Sequence, residues 1–153
     1  MPASGLGFSP PANSAARGFT LVELLIVIFI VALLAGIALP GFQDSMRKGR
    51  RADAKSGLMD AANRLERYML DHNSYTDDMN DLGLGADPAI SEEGYYSFDM
   101  VAATTACPLA SCYVLEAVPV AGGAQADDGK CTKFILASTG AKTAEGSAAS
   151  QCW

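Results

Sequence analysis

Apolar residues are concentrated in one block, Phe19 to Leu39, where 21 residues carry a single charge, Glu23. At about 1.5 Å per residue a helix of that length spans about 30 Å, the thickness of a bilayer's hydrocarbon core. The block is longer than the apolar region of a secretory signal peptide, and no small-x-small cleavage pattern follows it. It is therefore expected to remain in the mature chain as a membrane helix. Beyond Pro40 a 3.6-residue pattern resumes, with Ala54, Leu58, Ala61, Leu65, Tyr68 and His72 spaced by fours and threes. This predicts that the helix continues to about Asp71 with one apolar stripe, widened by Ala62 and Met69. Asp60 and Arg64 would pair on its outer face, and His72 would sit at the negative end of the helix dipole.

The pattern then changes. From Asn73 to Gly94 turn formers dominate and periodicity is lost, which reads as a connecting loop. Three strand-like runs follow, Gly94 to Val101, Cys112 to Val120 and Cys131 to Ser138, and their order implies an antiparallel meander. Tyr96, Phe98 and Met100 alternate in the first run, as do Phe134 and Leu136 in the third. Such alternation suits a sheet with one face packed on a helix. The expected fold is α+β, a long helix against a small antiparallel sheet of three to four strands.

Composition narrows the function. A chain of 153 residues has room for one ordinary domain and an appended segment. Its formal net charge is -6, and from Gly57 onward five basic residues face fourteen acidic ones. That balance argues against a head built to grip polyanions. The basic residues cluster instead at Arg47, Lys48, Arg50, Arg51 and Lys55. Their position conflicts with an outward-facing head under the positive-inside rule, although long domains translocate regardless of such charge. The cluster reads either as a solvated helix face or as a contact for lipid headgroups or for acidic faces of neighbouring chains.

Four cysteines, Cys107, Cys112, Cys131 and Cys152, all lie in the C-terminal part, which suggests disulfides in an oxidising compartment and so supports an outward-facing head. Their spacing lacks paired x2 knuckles and His72 is far upstream, so a zinc site is disfavoured. No nucleophile and base constellation or phosphate loop points to an enzyme, and no cofactor is implied.

Residues 1–18 are rich in Pro, Gly, Ser and Ala and contain one charge, Arg17. They are expected to be disordered and removed by a cut after Gly18. Glu23 would then be fifth in the mature chain. A carboxylate deep in hydrocarbon costs up to roughly 3 kcal/mol, so an acid there is a functional hypothesis by default. Cleavage would supply a cation, the new amino terminus at Phe19. A helix turns its own fifth residue elsewhere, so the natural partner is the terminus of a neighbouring subunit.

The run Gly18-Phe19-Thr20-Leu21-Val22-Glu23 resembles the class III signal of the type IV pilin family. The resemblance implies a prepilin peptidase that cleaves after Gly18 and N-methylates Phe19, with Glu23 guiding docking into a filament. Pro40 lies where type IV pilins carry a helix-disrupting proline. The resemblance makes Gly36 to Pro40 a candidate hinge that loses helicity in the filament; proline also removes a backbone hydrogen bond, so the helix is expected to kink or open there. Leu65-Glu66-Arg67-Tyr68, Asn73-Ser74-Tyr75-Thr76, Ser138-Thr139-Gly140-Ala141-Lys142 and Gln151-Cys152-Trp153 look most like type IVa minor pilins of the group that includes competence pilins.

That likeness implies the type IV pilin fold, with a leader at 1–18, an assembly helix at 19–39, an amphipathic half-helix at 40–72 and a head at 73–153. Four cysteines allow three connectivities. Cys107 with Cys112 and Cys131 with Cys152 are favoured, the first closing a short loop through Pro108 and the second pinning the last segment, as in the disulfide-bounded region of pilins.

The expected function is that of a structural subunit, a minor pilin supporting motility, adhesion or DNA uptake. Its partners would be other pilins, prepilin peptidase, the inner-membrane assembly machinery and, before assembly, membrane lipid with the head in the periplasm. Two alternatives stand beside it. One is a type II secretion pseudopilin, whose usual calcium loop has only Asp127, Asp128 and Gly129 to represent it. The other is a DNA-binding competence pilin, for which the head lacks a basic stripe.

Overall fold

The computed structural model describes residues 18–153, so the expected leader lies outside the described residues except for Gly18. A single helix, α1 (Leu21–His72, 52 residues), is followed by five strands, β1 (Ala89–Ile90), β2 (Tyr96–Met100), β3 (Val114–Pro119), β4 (Lys133–Ala137) and β5 (Lys142–Glu145), and a closing 3-10 turn at Ala149–Gln151. The chain divides after Pro40 into two units. In the first, the large apolar side chains are exposed, from Phe19 at 89 % to Ile37 at 75 %. A surface of that kind in water would be driven into any apolar surroundings on offer. The helical assignment runs through Gly36 and Pro40 without a break.

The second unit begins at Gly41. Its strands pair only with sequence neighbours, all antiparallel, in the order β1-β2-β3-β4-β5. Five strands stand where three to four are expected. The three predicted runs become β2, β3 and β4, each trimmed at its ends. β1 lies within the stretch read as a loop, being two residues long, too short for any periodicity. β5 is almost entirely exposed and so lacks an alternating apolar pattern.

The stripe on α1 makes the core. Ala54, Leu58, Ala61 and Leu65 are fully buried, against Tyr96, Phe98 and Met100 of β2, Leu115 and Ala117 of β3, and Phe134 and Leu136 of β4. Across the sheet one row reads Phe98, Ala117, Phe134, Ala144, alternating large and small. That alternation lets neighbouring strands interdigitate with the helix. Gly57 marks the closest approach: a Cβ there would meet the Phe98 ring at 3.0 Å. Asp60 and Arg64 pair at 2.8 Å, and Arg64 also donates to the carbonyl of Leu82, which ties the long connection back to the helix.

Two turns need glycine for different reasons. Gly94 (φ +75) closes the β1–β2 turn. Gly146 (φ +128) follows β5 where the chain crosses close over the backbone of Lys130 and Cys131, and any Cβ would collide with the Lys130 carbonyl. Gly146→Ala should therefore destabilise the protein by about 2 kcal/mol or more. Gly129→Ala, at an ordinary φ with open space beside it, should change stability by no more than about 0.5 kcal/mol. Urea unfolding of the detergent-solubilised chain, followed by circular dichroism, separates the two.

Candidate assembly site

Gly18 and Phe19 are exposed and precede the first helical residue. Thr20 is the N-cap of α1, and Glu23 reaches back to it. The backbone N–H of Thr20 donates to Glu23 Oε2 at 2.9 Å, the Thr20 hydroxyl donates to the same oxygen at 2.8 Å, and the Glu23 N–H donates to Thr20 Oγ1 at 3.2 Å. This is a reciprocal capping box, spelled by the spacing Thr-x-x-Glu. The carboxylate also lies in the first turn, where the helix dipole favours negative charge. Both bonds fall on Oε2; among the described residues nothing donates to Oε1. Glu23 is thus held in place by its own helix with one oxygen left to accept from outside.

The basic cluster does not stay together as a surface. Arg51 is 3 % exposed and Asp128 2 %, and they form a two-pronged ion pair at 2.7 and 2.8 Å. Burial alone would raise the Asp128 carboxyl. The Arg51 hydrogen bond and charge, with backbone N–H groups of Cys131 and Lys130, bring it net below the ordinary carboxylate value. Both oxygens of Asp128 are therefore committed to Arg51, which removes it from any calcium set with Asp127 and Gly129. Gln125, fully buried, donates through Nε2 to the Tyr96 hydroxyl at 2.9 Å and to the Arg47 carbonyl at 3.2 Å.

Other members of the cluster have separate tasks. The Arg50 guanidinium lies 5.0 Å over the Tyr95 ring and donates to the Ala124 carbonyl at 3.3 Å. Lys48 approaches Asp44 at 3.6 Å, and Lys130 meets the same carboxylate at 2.8 Å. Lys55 is partly buried, and burial, then Arg51 and Lys142, lower its pKa. Two residues after Arg51, the buried Asp53 accepts from the Ser91 hydroxyl and from the backbone N–H groups of Glu93 at 3.2 Å and Tyr95 at 3.3 Å. It organises the β1–β2 turn.

Arg51, Asp53, Gln125 and Asp128 were not legible as buried residues from type alone. One signal was available for Arg51: stepping back from Leu58 and Ala54 by the same fours and threes lands on Arg51. A charged residue on the apolar stripe implies a buried partner.

Cys107 bonds Cys112 and Cys131 bonds Cys152. The second bridge joins Cys131, two residues before β4, to Cys152, next to Trp153. Beside it the Trp153 indole donates to the Thr143 carbonyl of β5 and packs edge-on to Phe134 at 5.8 Å. A loop of about 20 residues closed this way contributes roughly 3 kcal/mol in the chain-entropy account. His72 stacks on Tyr68 with ring centroids 3.9 Å apart.

Comparison with known proteins matches residues 40–135 to the family described as "Type IV minor pilin ComP, DNA uptake sequence receptor" and residues 13–39 to the prokaryotic N-terminal methylation motif. Among similar proteins, the type IV wide pilus major component PilA4 of Thermus thermophilus is 40 % identical over 77 residues, 48 % of this chain and 59 % of its own. The type IV major pilin PilA of Myxococcus xanthus is 31 % identical over 110 residues, 72 % of this chain and 48 % of its own. A type II secretion system core protein G of Pectobacterium carotovorum is 37 % identical over 59 residues, 39 % and 38 % of the two chains. The chain spans about half the length of the curated relatives it matches.

Removing one partner of the buried pair leaves an uncompensated charge, so Asp128→Ala should cost about 3 to 5 kcal/mol in urea unfolding, and the double change Arg51→Met with Asp128→Leu should recover most of it. The pH dependence has a definite sign. Because the folded Asp128 carboxyl lies below its unfolded value, the stability it contributes is complete above about pH 4 and is lost as pH falls through the lower folded value. The double variant should show a shallower loss of stability below about pH 4 than the parent.

Proposed function

The chain belongs to the type IV minor pilin family, and on that footing we propose that it is a structural subunit of a type IV pilus, made as a membrane-held precursor and built into the fibre through its N-terminal helix. The observation that carries this reading is the exposed apolar segment headed by a capped Glu23 with one unpaired oxygen. In the proposed sequence of events, prepilin peptidase removes residues 1–18 and N-methylates Phe19. The 19–39 segment holds the subunit in the inner membrane with the head in the periplasm. The mature amino terminus, a cation, then meets Glu23 Oε1 of a neighbouring subunit at the growing base of the fibre, where the assembly machinery delivers it. An ion pair in hydrocarbon is strengthened by the low dielectric and offsets the cost of placing the carboxylate there.

The apolar surface then passes from lipid to the helices of other subunits without exposure to water. Gly36 to Pro40 is the segment we expect to open on assembly. Proline leaves one carbonyl of the helix without its donor, and glycine loses the least by leaving helical geometry. A minor rather than a major role rests on the family match over residues 40–135.

DNA capture remains a second reading because the matched family is described as a DNA uptake sequence receptor. It is the weaker one for this chain. Arg64 and Arg67 share their groove with Asp71 and Asp81, so phosphate contact there would meet opposing carboxylates. A salt-dependent affinity of the protein for duplex DNA would favour it.

The capping box separates two roles of Glu23 that a single alanine variant would confuse. Glu23→Gln retains an acceptor for Thr20 but removes the charge, whereas Thr20→Ala removes the cap and retains the charge. Incorporation into sheared surface filaments, read by immunoblot beside the cleaved and uncleaved bands, should fall at least about tenfold in Glu23→Gln if the ion pair contributes the 1.4 kcal/mol or more expected of a desolvated pair. Thr20→Ala, which keeps the charge, should lose less, with incorporation falling by no more than about fivefold, since a lost cap costs about 1 kcal/mol. Normal incorporation of Glu23→Gln would sink the docking role. Gly18→Ala should leave uncut precursor in the membrane, and efficient processing of that variant would refute the cut site.

A further inference from the structure

Arg47 and Arg50 lie on the first turns of the head, and among the described residues neither forms an ion pair with a carboxylate. They border a groove of about 300 Å³ lined by Phe42, Gln43, Met46, Arg47, Arg50 and Ala124. Three features of this groove belong together. It has two guanidinium groups and no acid, in a chain of net charge -6. Phe42 and Met46, one helical turn apart, are 64 % and 44 % exposed and line the same hollow. The Arg50 guanidinium is held by the Tyr95 ring and the Ala124 carbonyl, and its Nε is buried without an acceptor. Asp44, three positions before Arg47, is occupied by Lys130 and Lys48, and the carboxylates that share the adjoining hollow with Arg50, those of Asp53, Glu92 and Glu93, make no ion pair with it.

A pair of guanidiniums beside exposed apolar side chains fits an amphiphilic anion, with a phosphate for the arginines and a hydrocarbon stem for Phe42 and Met46. Arg47 follows Leu39 by eight positions. The chain itself therefore keeps the groove close to the headgroups whenever the apolar block is in a bilayer. We propose that the groove of Phe42, Met46, Arg47 and Arg50 binds the headgroup of an anionic phospholipid, holding the head against the membrane surface before the subunit enters the fibre. This rests on the reading of 19–39 as a membrane segment.

The test uses the full chain in nanodiscs that mix phosphatidylcholine with phosphatidylglycerol, with the lipids retained by the protein counted by native mass spectrometry. The protein should retain phosphatidylglycerol in excess over its share of the bilayer. Arg47→Gln should reduce that excess by about fivefold, the effect of one basic side chain near an anionic surface, and Arg67→Gln on the same helix should leave it unchanged. A circular dichroism melt matching the parent's keeps Arg47→Gln interpretable, and Phe42→Ser, which touches no charge, should also reduce the excess.

Retention in proportion to the bilayer composition overturns the proposal, as does an equal loss in Arg67→Gln, which would mean that any positive charge serves. Cross-linking of Arg47→Cys to a second copy, with no lipid preference, would assign the groove to a neighbouring subunit and overturn it too. Flotation with purely neutral vesicles separates the two levels. A chain that fails to float refutes the membrane segment and this site with it, whereas one that floats but shows no headgroup preference refutes the site alone.

Discussion

The head depends on the Arg51–Asp128 pair. Its partners are 77 positions apart and join the helix to the loop that ends at Cys131. A buried ion pair is not in itself a source of stability, because desolvating both charges costs several kcal/mol and only near-ideal geometry offsets it. Here the geometry is two-pronged and the carboxylate also receives the Lys130 N–H at 3.3 Å. The pair's main effect is on register. Arg51 lies on the stripe that buries Ala54 and Leu58, so a helix rotated by one residue would lose its apolar contacts and leave both charges unpaired. Gln125 and the Tyr96 hydroxyl extend the same polar seam into β2, and the Cys131–Cys152 bridge closes it on the C-terminal side.

That seam changes the meaning of the basic cluster. As a string of letters, Arg47 to Lys55 is a block of five positive charges facing the wrong way for the positive-inside rule. In three dimensions Arg51 is neutralised inside the head and Lys48 is matched by Asp44. The charge left next to the membrane segment in the folded head is that of Arg47, Arg50 and the partly buried Lys55. The positive-inside rule counts Lys and Arg in the chain as it inserts, so folding does not remove the conflict; the cysteines and the ability of long domains to translocate still answer it.

Most of the architecture was legible because it follows from periodicity. The apolar block, the stripe from Ala54 to Leu65, and the alternation in β2 and β4 each state which face is buried. β1 and β5 escaped because a two-residue strand has no period and an exposed edge strand has no apolar face. At the candidate site, Gly18, Phe19 and Glu23 are legible as a motif, and Thr20 is legible too, since Thr-x-x-Glu is a recognisable capping pattern. The Asp127-Asp128-Gly129 run, a weak sign of calcium at best, has a different partner. Adjacent acids before a glycine suggest cation binding, but the cation that Asp128 holds is a guanidinium supplied from a distant helix turn. Nothing in the local spacing of acids could reveal that.

The capping box also bears on why an acid tolerated in hydrocarbon would be a glutamate. An unbound carboxylate entering a bilayer carries the full desolvation penalty and would take up a proton instead. Glu23 accepts two hydrogen bonds from Thr20 before any partner arrives, so part of that penalty is already offset. At this spacing a glutamate side chain reaches back across three residues to the N-cap, whereas an aspartate is one methylene shorter. Because Thr20 occupies only Oε2, an arriving ammonium need not displace it. The cap and the docking contact then reinforce each other: the Thr20 N–H and hydroxyl fix the carboxylate's orientation, and the free Oε1 is presented without further loss of side-chain freedom. In that light Thr20 is a positioning residue for Glu23, and its contribution should grow as the surroundings become drier, since an unmet hydrogen bond costs more in hydrocarbon than at an exposed helix end.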